Sequence, residues 1–288
     1  MTNLKLFSSL LLLITTGCMT SPKNSPSLTQ NHRAPSAVSA TESTPLANID
    51  SQWDVVDHKY FKVYYDRTNR LPRFSIYTLT ADHLRVTPIK RPNSFRADPL
   101  LVSQGIPYVQ PSEYKSSGYD RGHMAPYEDF AYSAESGNET FVMSNMCPQS
   151  KMLNEQSWKN LEEQVRKWGC GEERVIVITG PVIEEGLTTL KSGLPVPNQF
   201  FKIVIDDTPP RKAVGFVYNQ IDGKAVKFPS RVAKVTDIED VILENFESLV
   251  PPEDVGIFSA APNLGDWKSA DCRSKRANDS VSSPALAQ

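Results

Sequence analysis

The 288-residue sequence is poor in the residues that build metal clusters and common cofactor sites. It contains only four cysteines and four histidines, and the cysteine spacings lack the close pairs of a structural zinc site. We find no internal repeat, glycine-rich phosphate loop or dinucleotide fingerprint, and no serine in a nucleophile-elbow pattern. These absences argue against a zinc protein, a nucleotide-binding fold and a serine hydrolase.

A strong excess of positive charge is also missing. The formal net charge is −2 and the isoelectric point is about 6.1, so the surface as a whole does not attract nucleic acid. Any phosphate-binding field must be a local patch. The candidate cations are Lys115, Arg121, Lys151, Lys159 and Arg166, and for all but Arg121 an ordinary solvated surface charge is the alternative.

The N-terminal apolar run Leu10–Ile14 is too short to span a membrane. A short apolar run followed by small residues is typical of a secretory signal peptide. Gly17-Cys18 resembles a bacterial lipoprotein cleavage site, so we predict a signal peptide at 1–18 with the lipid attached to Cys18. Cleavage elsewhere is the alternative. We therefore expect an exported protein, lipid-anchored to the bacterial cell envelope on a periplasmic or outer-membrane face.

The rest of the chain divides by composition into three parts. Residues 19–52 are rich in Ser, Thr, Pro and Asn and predict a flexible polar linker. Residues 53–262 contain the apolar periodic segments and predict one catalytic domain. Residues 263–288 are small and polar, and we predict a disordered C-terminal tail there.

Both strand and helix patterns occur within the predicted domain, which indicates an α+β fold. The β-rich runs are 61–65, 74–79, 141–146, 175–180, 200–205 and 213–218. The run 175–180 is continuously apolar, as in a central strand buried on both faces. Residues 154–168 carry apolar side chains at spacings of three and four, which predicts a helix.

Three cysteines remain if Cys18 carries a lipid, and an exported protein can form disulfides. Cys147 lies in a predicted buried segment and is expected to be a small apolar core residue. We therefore predict a disulfide between Cys170 and Cys272, although the sequence alone leaves the pairing open.

Three short blocks carry chemistry suited to phosphodiester cleavage. The first contains Arg121, a permanent cation whose planar fork matches a phosphate, and His123, whose ordinary pKa near ~6.5 suits a general base. The second contains Asn145. The third contains Asn154, a hard oxygen donor for a cation, and Glu162, about two helical turns further on. An ordinary helix cap and a surface carboxylate are the alternatives for these last two.

These blocks resemble the DNA/RNA non-specific endonuclease family. The resemblance rests on residues 120–126, on Ser144-Asn145 with Pro148-Gln149, and on the segment from Leu153 to Glu162. It implies a central, mostly antiparallel sheet flanked by helices, with a ββα-metal (His-Me) finger at the active site. It also implies a Mg²⁺ or Mn²⁺ cofactor.

The resemblance assigns a role to each site residue. His123 would be the general base, Arg121 would bind the scissile phosphate, and Asn145 would orient His123 or the substrate. Asn154 would bind the metal directly, and Glu162 would hold it through a water molecule. Relatives often carry a further arginine, for which this chain offers Arg91 or Arg96, and the two remain open.

The sequence thus predicts a metal-dependent endonuclease that hydrolyses DNA, and RNA as well, without marked sequence preference. One alternative is a catalytically silent lipoprotein of the same fold that binds nucleic acid or an envelope partner. Another is a phosphodiesterase for small nucleotides. The resemblance also raises a homodimer as a possible assembly.

Overall fold

The computed structural model describes residues 52–221 and 224–273. The predicted signal peptide with Cys18, almost all of the predicted linker, and the end of the predicted tail lie outside these residues. Across the part of the chain that the structure describes, no helix combines the length and the apolar character needed to cross a bilayer.

A seven-stranded sheet forms the centre of the domain, in the order β1-β2-β3-β6-β7-β8-β9, with every neighbouring pair antiparallel. A separate pair, β4-β5, is also antiparallel. The strands are β1 Asp54–Asp57, β2 Lys62–Asp66, β3 Leu71–Thr80, β4 Asp120–His123, β5 Met146–Gln149, β6 Arg174–Val182, β7 Gln199–Asp206, β8 Lys212–Asn219 and β9 Val232–Ala233. The predicted α+β class and antiparallel sheet are confirmed.

The helices flank this sheet. They are α1 Ala81–Arg85, α2 Pro99–Ser103, α3 Tyr127–Phe130, α4 Ala134–Glu139, α5 Lys159–Gly171 and α6 Val235–Ile242. A π-helical segment, Leu153–Trp158, runs directly into α5. We call the continuous helix over residues 151–171 the site helix.

Strand β6 occupies the middle of the sheet, as its apolar run predicted. Val175 and Val177 pack into the core on the side of the site helix. Ile176 and Ile178 pack into the second core, on the side of α6. The side chains of a strand alternate between faces, so a strand that is buried on both sides needs apolar residues at every position.

The strand pair β4-β5 places the first and second motif blocks side by side. Arg121 pairs with Pro148, and His123 pairs with Met146. The predicted second strand, 141–146, is wrong in its bounds, because Met143–Asn145 form a 3₁₀ turn and the strand starts at Met146. Proline lacks an N–H donor but is tolerated where that side of the strand needs no ladder bond, so Pro148 lies inside the strand.

The predicted disordered tail is wrong for its first residues. Residues 263–273, which we call the C-terminal strap, lie against the domain. Trp267 is buried and stacks near Trp168, with ring centroids 4.8 Å apart. The predicted disulfide between Cys170 and Cys272 is confirmed, and Cys147 is a buried free thiol. The composition of the strap is polar, but one apolar anchor, Trp267, and one covalent bond hold it.

Candidate active site

His123 ends strand β4 in a slot between aromatic rings. Its ring centroid lies 5.1 Å from that of Phe141 and 5.7 Å from that of Phe95. Burial, assisted by the nearby positive charge of Arg91, lowers the pKa of His123 to about 3. The imidazole is therefore neutral near pH 7, which is the form that accepts a proton.

Two arginines flank this histidine, and aromatic rings hold both. The Arg121 guanidinium lies 4.8 Å from the ring centre of Phe95 and donates from Nη2 to the Pro111 carbonyl (3.0 Å). The Arg91 guanidinium lies 5.2 Å from the ring centre of Phe141. Stacking on an aromatic face leaves the edges of a guanidinium available to bind an anion.

Asn154 lies inside the π-helical segment of the site helix, so the ordinary helix-cap alternative is excluded. Its backbone N–H donates to the Ser150 carbonyl, as in a continuous helix. Its side-chain Nδ2 donates to Asp120 Oδ2 (3.0 Å). A carboxylate only accepts hydrogen bonds, so this contact assigns the amide nitrogen to Asp120 and leaves the amide oxygen for another partner.

Glu162 lies on the site helix among buried charged groups. Glu162 is partly buried where it lines the pocket. This burial raises its pKa, while the positive charges of Lys202 and Arg166 oppose the rise. Lys202 is fully buried on β7 and donates to Thr179 Oγ1. Arg166 donates to Asp129 Oδ1 (3.0 Å). Glu162 is therefore not an ordinary surface carboxylate.

One pocket of about 930 Å³ brings together the site residues of the first and third blocks, namely His123, Arg121, Asn154 and Glu162. Arg91 lines it as well, and so do Lys159 and Arg166 from the predicted cation patch. Lys115 and Lys151 are not among the residues that line it, and Lys151 lies 3.8 Å from Glu155 as an exposed pair.

Asn145 is the predicted site residue that the structure moves out of the pocket. Its side chain is fully buried. Its Oδ1 accepts from the Ser75 hydroxyl and the Ala125 N–H, and its Nδ2 donates to the carbonyls of Ala125 and Thr140. The prediction that Asn145 could contact substrate is wrong, because these partners occupy all its hydrogen-bonding groups. It holds the segment that follows His123, so it is a positioning residue.

A sequence profile of the DNA/RNA non-specific endonuclease family matches residues 42–252. This chain belongs to that family. One chain of the solved EndoG/EndoGI complex has a similar fold, with a TM-score of 0.59 and 25% identity over 69% of this chain and 88% of that chain.

Several curated nucleases are similar in sequence to this endonuclease-family chain. Mitochondrial nuclease 1 of Schizosaccharomyces pombe is 32% identical over 166 residues, which are 52% of this chain and 50% of that protein. A nuclease of Nostoc sp. is 38% identical over 116 residues, 40% of this chain and 42% of that protein. Human mitochondrial endonuclease G is 30% identical over 152 residues, 49% and 50%. The chain thus spans about half the length of these relatives.

Membership of a metal-dependent nuclease family raises the question of whether these residues fit a divalent ion. Within residues 52–221 and 224–273, no group of three or more His, Cys, Asp or Glu side chains is arranged to hold a metal. Mg²⁺ usually keeps several waters and needs only one or two protein oxygens. The oriented amide oxygen of Asn154 and the carboxylate of Glu162 line the same pocket, so the donor set fits such an ion.

The structure distinguishes the two candidate arginines. It also identifies a buried charged residue, Lys202, that the sequence did not single out. Arg91 lines the pocket, whereas Arg96 donates from Nη1 to the carbonyls of Ser94 and Asn138. In the sequence, Lys202 is only one residue of the predicted strand 200–205. A lysine in an otherwise apolar strand indicates a buried charged group, and a buried lysine needs a charged or polar partner.

Proposed function

We propose that this chain is a metal-dependent endonuclease that hydrolyses phosphodiester bonds of DNA and RNA without marked sequence preference. The observation that carries the proposal is the single pocket lined by His123, Arg91, Arg121, Asn154 and Glu162. It combines a neutral base, two fixed cations and two oxygen donors. The similar nucleases and the family profile support the same reaction class.

His123 acts on the attacking water in this proposal. Its Nε2 is enclosed by protein without a hydrogen-bond partner, so we assign the water's proton to Nδ1. As the proton moves to the imidazole, the water oxygen bonds to phosphorus and the bond from phosphorus to the 3′ oxygen breaks. The leaving 3′ oxygen takes a proton from solvent water, so the products are a 5′-phosphate end and a 3′-hydroxyl end.

Arg121 and Arg91 bind non-bridging oxygens of the phosphate, where negative charge grows during attack. Stacking on the rings of Phe95 and Phe141 keeps both guanidinium groups at the pocket. Asn154 and Glu162 are the residues that would hold Mg²⁺ or Mn²⁺, Glu162 through water. A bound ion supplies charge stabilisation at the phosphate and at the leaving oxygen.

The direct test is cleavage of supercoiled plasmid and of labelled RNA by the purified chain, with Mg²⁺ and with chelator. We expect cleavage only with the ion. His123→Ala should reduce the turnover number by a factor of about 10²–10⁴, the usual contribution of a general base. The control is His83→Ala, because His83 stacks on Tyr132 and is not among the residues lining the pocket. Metal-dependent cleavage at the unchanged rate by His123→Ala would refute the proposal.

The same assay separates the two alternatives. A silent binding protein would retain plasmid in a gel-shift experiment but would leave it intact with every divalent ion. A phosphodiesterase for small nucleotides would hydrolyse a chromogenic diester and leave plasmid and RNA intact. We expect hydrolysis of all three substrates.

We also propose that the chain is exported and anchored to the cell envelope by a lipid on Cys18. The disulfide between Cys170 and Cys272 supports export, because disulfides persist in oxidising compartments. Cys18→Ser in the full-length precursor should move the protein from the membrane fraction to the soluble fraction. Unchanged membrane fractionation of that variant would count against the anchor.

A further inference from the structure

The C-terminal strap is attached to the end of the site helix by several independent contacts. The Ala270 N–H donates to the Lys167 carbonyl (3.0 Å). Gln164 Nε2 donates to Ser269 Oγ (3.1 Å), and the Lys268 N–H donates to Glu172 Oε1 (2.6 Å). The disulfide then fixes the end of the strap to the helix. The strap is thus a defined part of the domain surface.

Gly171 permits this attachment. A Cβ atom at Gly171 would lie 2.1 Å from the carbonyl oxygen of Lys268, a distance that no side chain allows. The strap backbone therefore passes directly over the last turn of the site helix. Any other residue at 171 would push the strap away from the helix.

The end of the strap lines the same pocket as the proposed catalytic residues. Ala270, Asp271, Cys272 and Arg273 border the pocket that also contains His123. Lys167 borders it from the neighbouring site helix. The strap lies beyond residues 42–252, the part of the chain that the family profile matches. It therefore adds a wall to the site that the family match does not cover.

The size of the pocket indicates what this wall is for. A volume of about 930 Å³ is at the upper end of the range for a whole drug-sized ligand, and a single scissile phosphodiester fills only part of it. The end bordered by the strap carries two exposed cations, Lys167 and Arg273, against one exposed carboxylate, Asp271. A nucleic acid strand has a negative charge at every nucleotide, so flanking phosphates need cations away from the reacting bond.

We infer that the C-terminal strap is a substrate-binding wall, on which Arg273 holds a backbone phosphate of a long nucleic acid away from the scissile bond. Lys167 assists from the site helix, and the disulfide keeps the strap end in place. This inference rests on the proposed function, because it names part of the same substrate. It predicts that strap variants weaken binding of long chains more than turnover of a small diester.

The test measures binding of a labelled 20-base-pair duplex in chelator, where no cleavage occurs, across a series of NaCl concentrations. The logarithm of the binding constant falls linearly with the logarithm of salt concentration, with a slope set by the number of phosphate contacts. Arg273→Gln should reduce the magnitude of this slope by about one and weaken binding equally across sequences. An unchanged slope in this variant would overturn the inference.

Lys268→Gln is the matched control on the same strap. Lys268 is exposed, lies 3.6 Å from Glu172 and is not among the residues lining the pocket. The Lys268→Gln variant loses the same charge from the same segment. If binding depended only on the total surface charge, this variant would reduce the salt slope as much as Arg273→Gln does. We expect Lys268→Gln to keep the wild-type slope, and a decrease equal to that of Arg273→Gln would overturn the inference.

A second variant tests the attachment, and a second substrate separates the strap from the catalytic residues. Cys170→Ser combined with Cys272→Ser should reproduce the reduced slope, because the strap end is no longer tied to the helix.

With Mg²⁺, Arg273→Gln should lower kcat/KM several-fold more on plasmid than on a chromogenic diester. An equal decrease on both substrates would overturn the inference. A duplex that binds with a strap-dependent slope but is never cut would instead refute only the proposed function.

Discussion

Asp120 accepts a hydrogen bond from the side-chain amide of Asn154, with 3.0 Å between Oδ2 and Nδ2. Asp120 comes from strand β4, and Asn154 comes from the site helix. The contact fixes which end of the amide faces the pocket. A residue that orients a metal ligand in this way commonly changes metal affinity about 10- to 100-fold when it is replaced.

Asp120→Ala should therefore raise the Mg²⁺ concentration needed for half-maximal cleavage by a factor of about 10 or more. Without the carboxylate, the Asn154 amide can turn its nitrogen towards the pocket. The measurement is a Mg²⁺ titration of plasmid cleavage. Asp57→Asn, at an exposed carboxylate of strand β1, should titrate as the wild type does. A normal Mg²⁺ requirement in Asp120→Ala would contradict the assigned orientation.

Arg91 and Arg96 should differ sharply when each is replaced by alanine. Arg91→Ala removes a cation from the pocket and should lower kcat/KM by a factor of about 10²–10³, as for a lost charge-stabilising donor. Arg96→Ala removes hydrogen bonds to backbone carbonyls and should lower the unfolding temperature instead. Steady-state kinetics and thermal unfolding of both variants check this pair. Equal kinetic losses would show that Arg91 has no special role at the phosphate.

The pH dependence of activity should reflect the low pKa of His123. The proposed mechanism needs the neutral imidazole, and burial together with the charge of Arg91 lowers the pKa of His123 to about 3. Because a lowered pKa preserves the neutral form in acid, protonation of His123 should not lower kcat/KM as the pH drops through 6.5; a fall near pH 7 would report Glu162, whose pKa burial raises to about 7. The measurement is a pH–rate profile at Mg²⁺ concentrations that saturate the site at each pH.

Arg91→Ala provides the internal check on this profile. Without that positive charge the pKa of His123 rises, so the acidic limb should move to higher pH. The proposed origin of the lowered His123 pKa would be contradicted if kcat/KM of the wild type fell near pH 6.5 and the fall stayed at the same pH in Arg91→Ala.

Asp98 should make a pH-dependent contribution to stability. Burial alone would raise its pKa, but His58, the Ser144 hydroxyl and the Leu100 N–H outweigh this and lower the pKa from 3.8. Its Oδ2 lies 3.1 Å from His58 Nε2. A lowered carboxyl pKa stabilises the folded protein above the unfolded value, and that stabilisation is lost as the pH falls through the folded value.

Asp98→Asn should thus lower the free energy of unfolding by about 1–3 kcal/mol at pH 7, the scale for leaving buried hydrogen-bonding groups without their acceptor. The difference from wild type should shrink below pH 3.8. Urea unfolding at pH 7 and in acid measures both. A difference that stays constant with pH would show that the charge of Asp98 does not contribute.

Gly122→Ala should disturb the strand pair that carries His123. A Cβ atom at this position would lie 2.0 Å from Gln149 Oε1 and 2.5 Å from its Cγ, so the fully buried Gln149 side chain must shift. We expect a loss of about 1–3 kcal/mol in unfolding free energy, as for overpacking, together with reduced cleavage. Gly256→Ala, which meets no atom within 4 Å, should unfold as the wild type does. Matching curves for both variants would contradict the close packing.

Strands and helices whose hydrophobic pattern lies within one segment of the chain could be predicted from the sequence. The continuous apolar run of β6 predicted a strand buried on both faces, and the spacing of three and four predicted the site helix. The bounds of β5 were wrong because Pro148 normally ends a strand, and only the pairing with Arg121 shows that its missing N–H is not needed there. The strap was missed because a polar composition does not show the contact of Trp267 with Trp168.

The sequence by itself determined the chemical groups of the site, since the family resemblance rests on residues within three short blocks. Their roles required the tertiary structure. Packing placed Arg91 at the pocket and Arg96 against the backbone, and it enclosed the Asn145 side chain in four hydrogen bonds to three residues. Local patterns follow from the geometry of a single strand or helix. Which side chains meet depends on how segments far apart in the chain pack together.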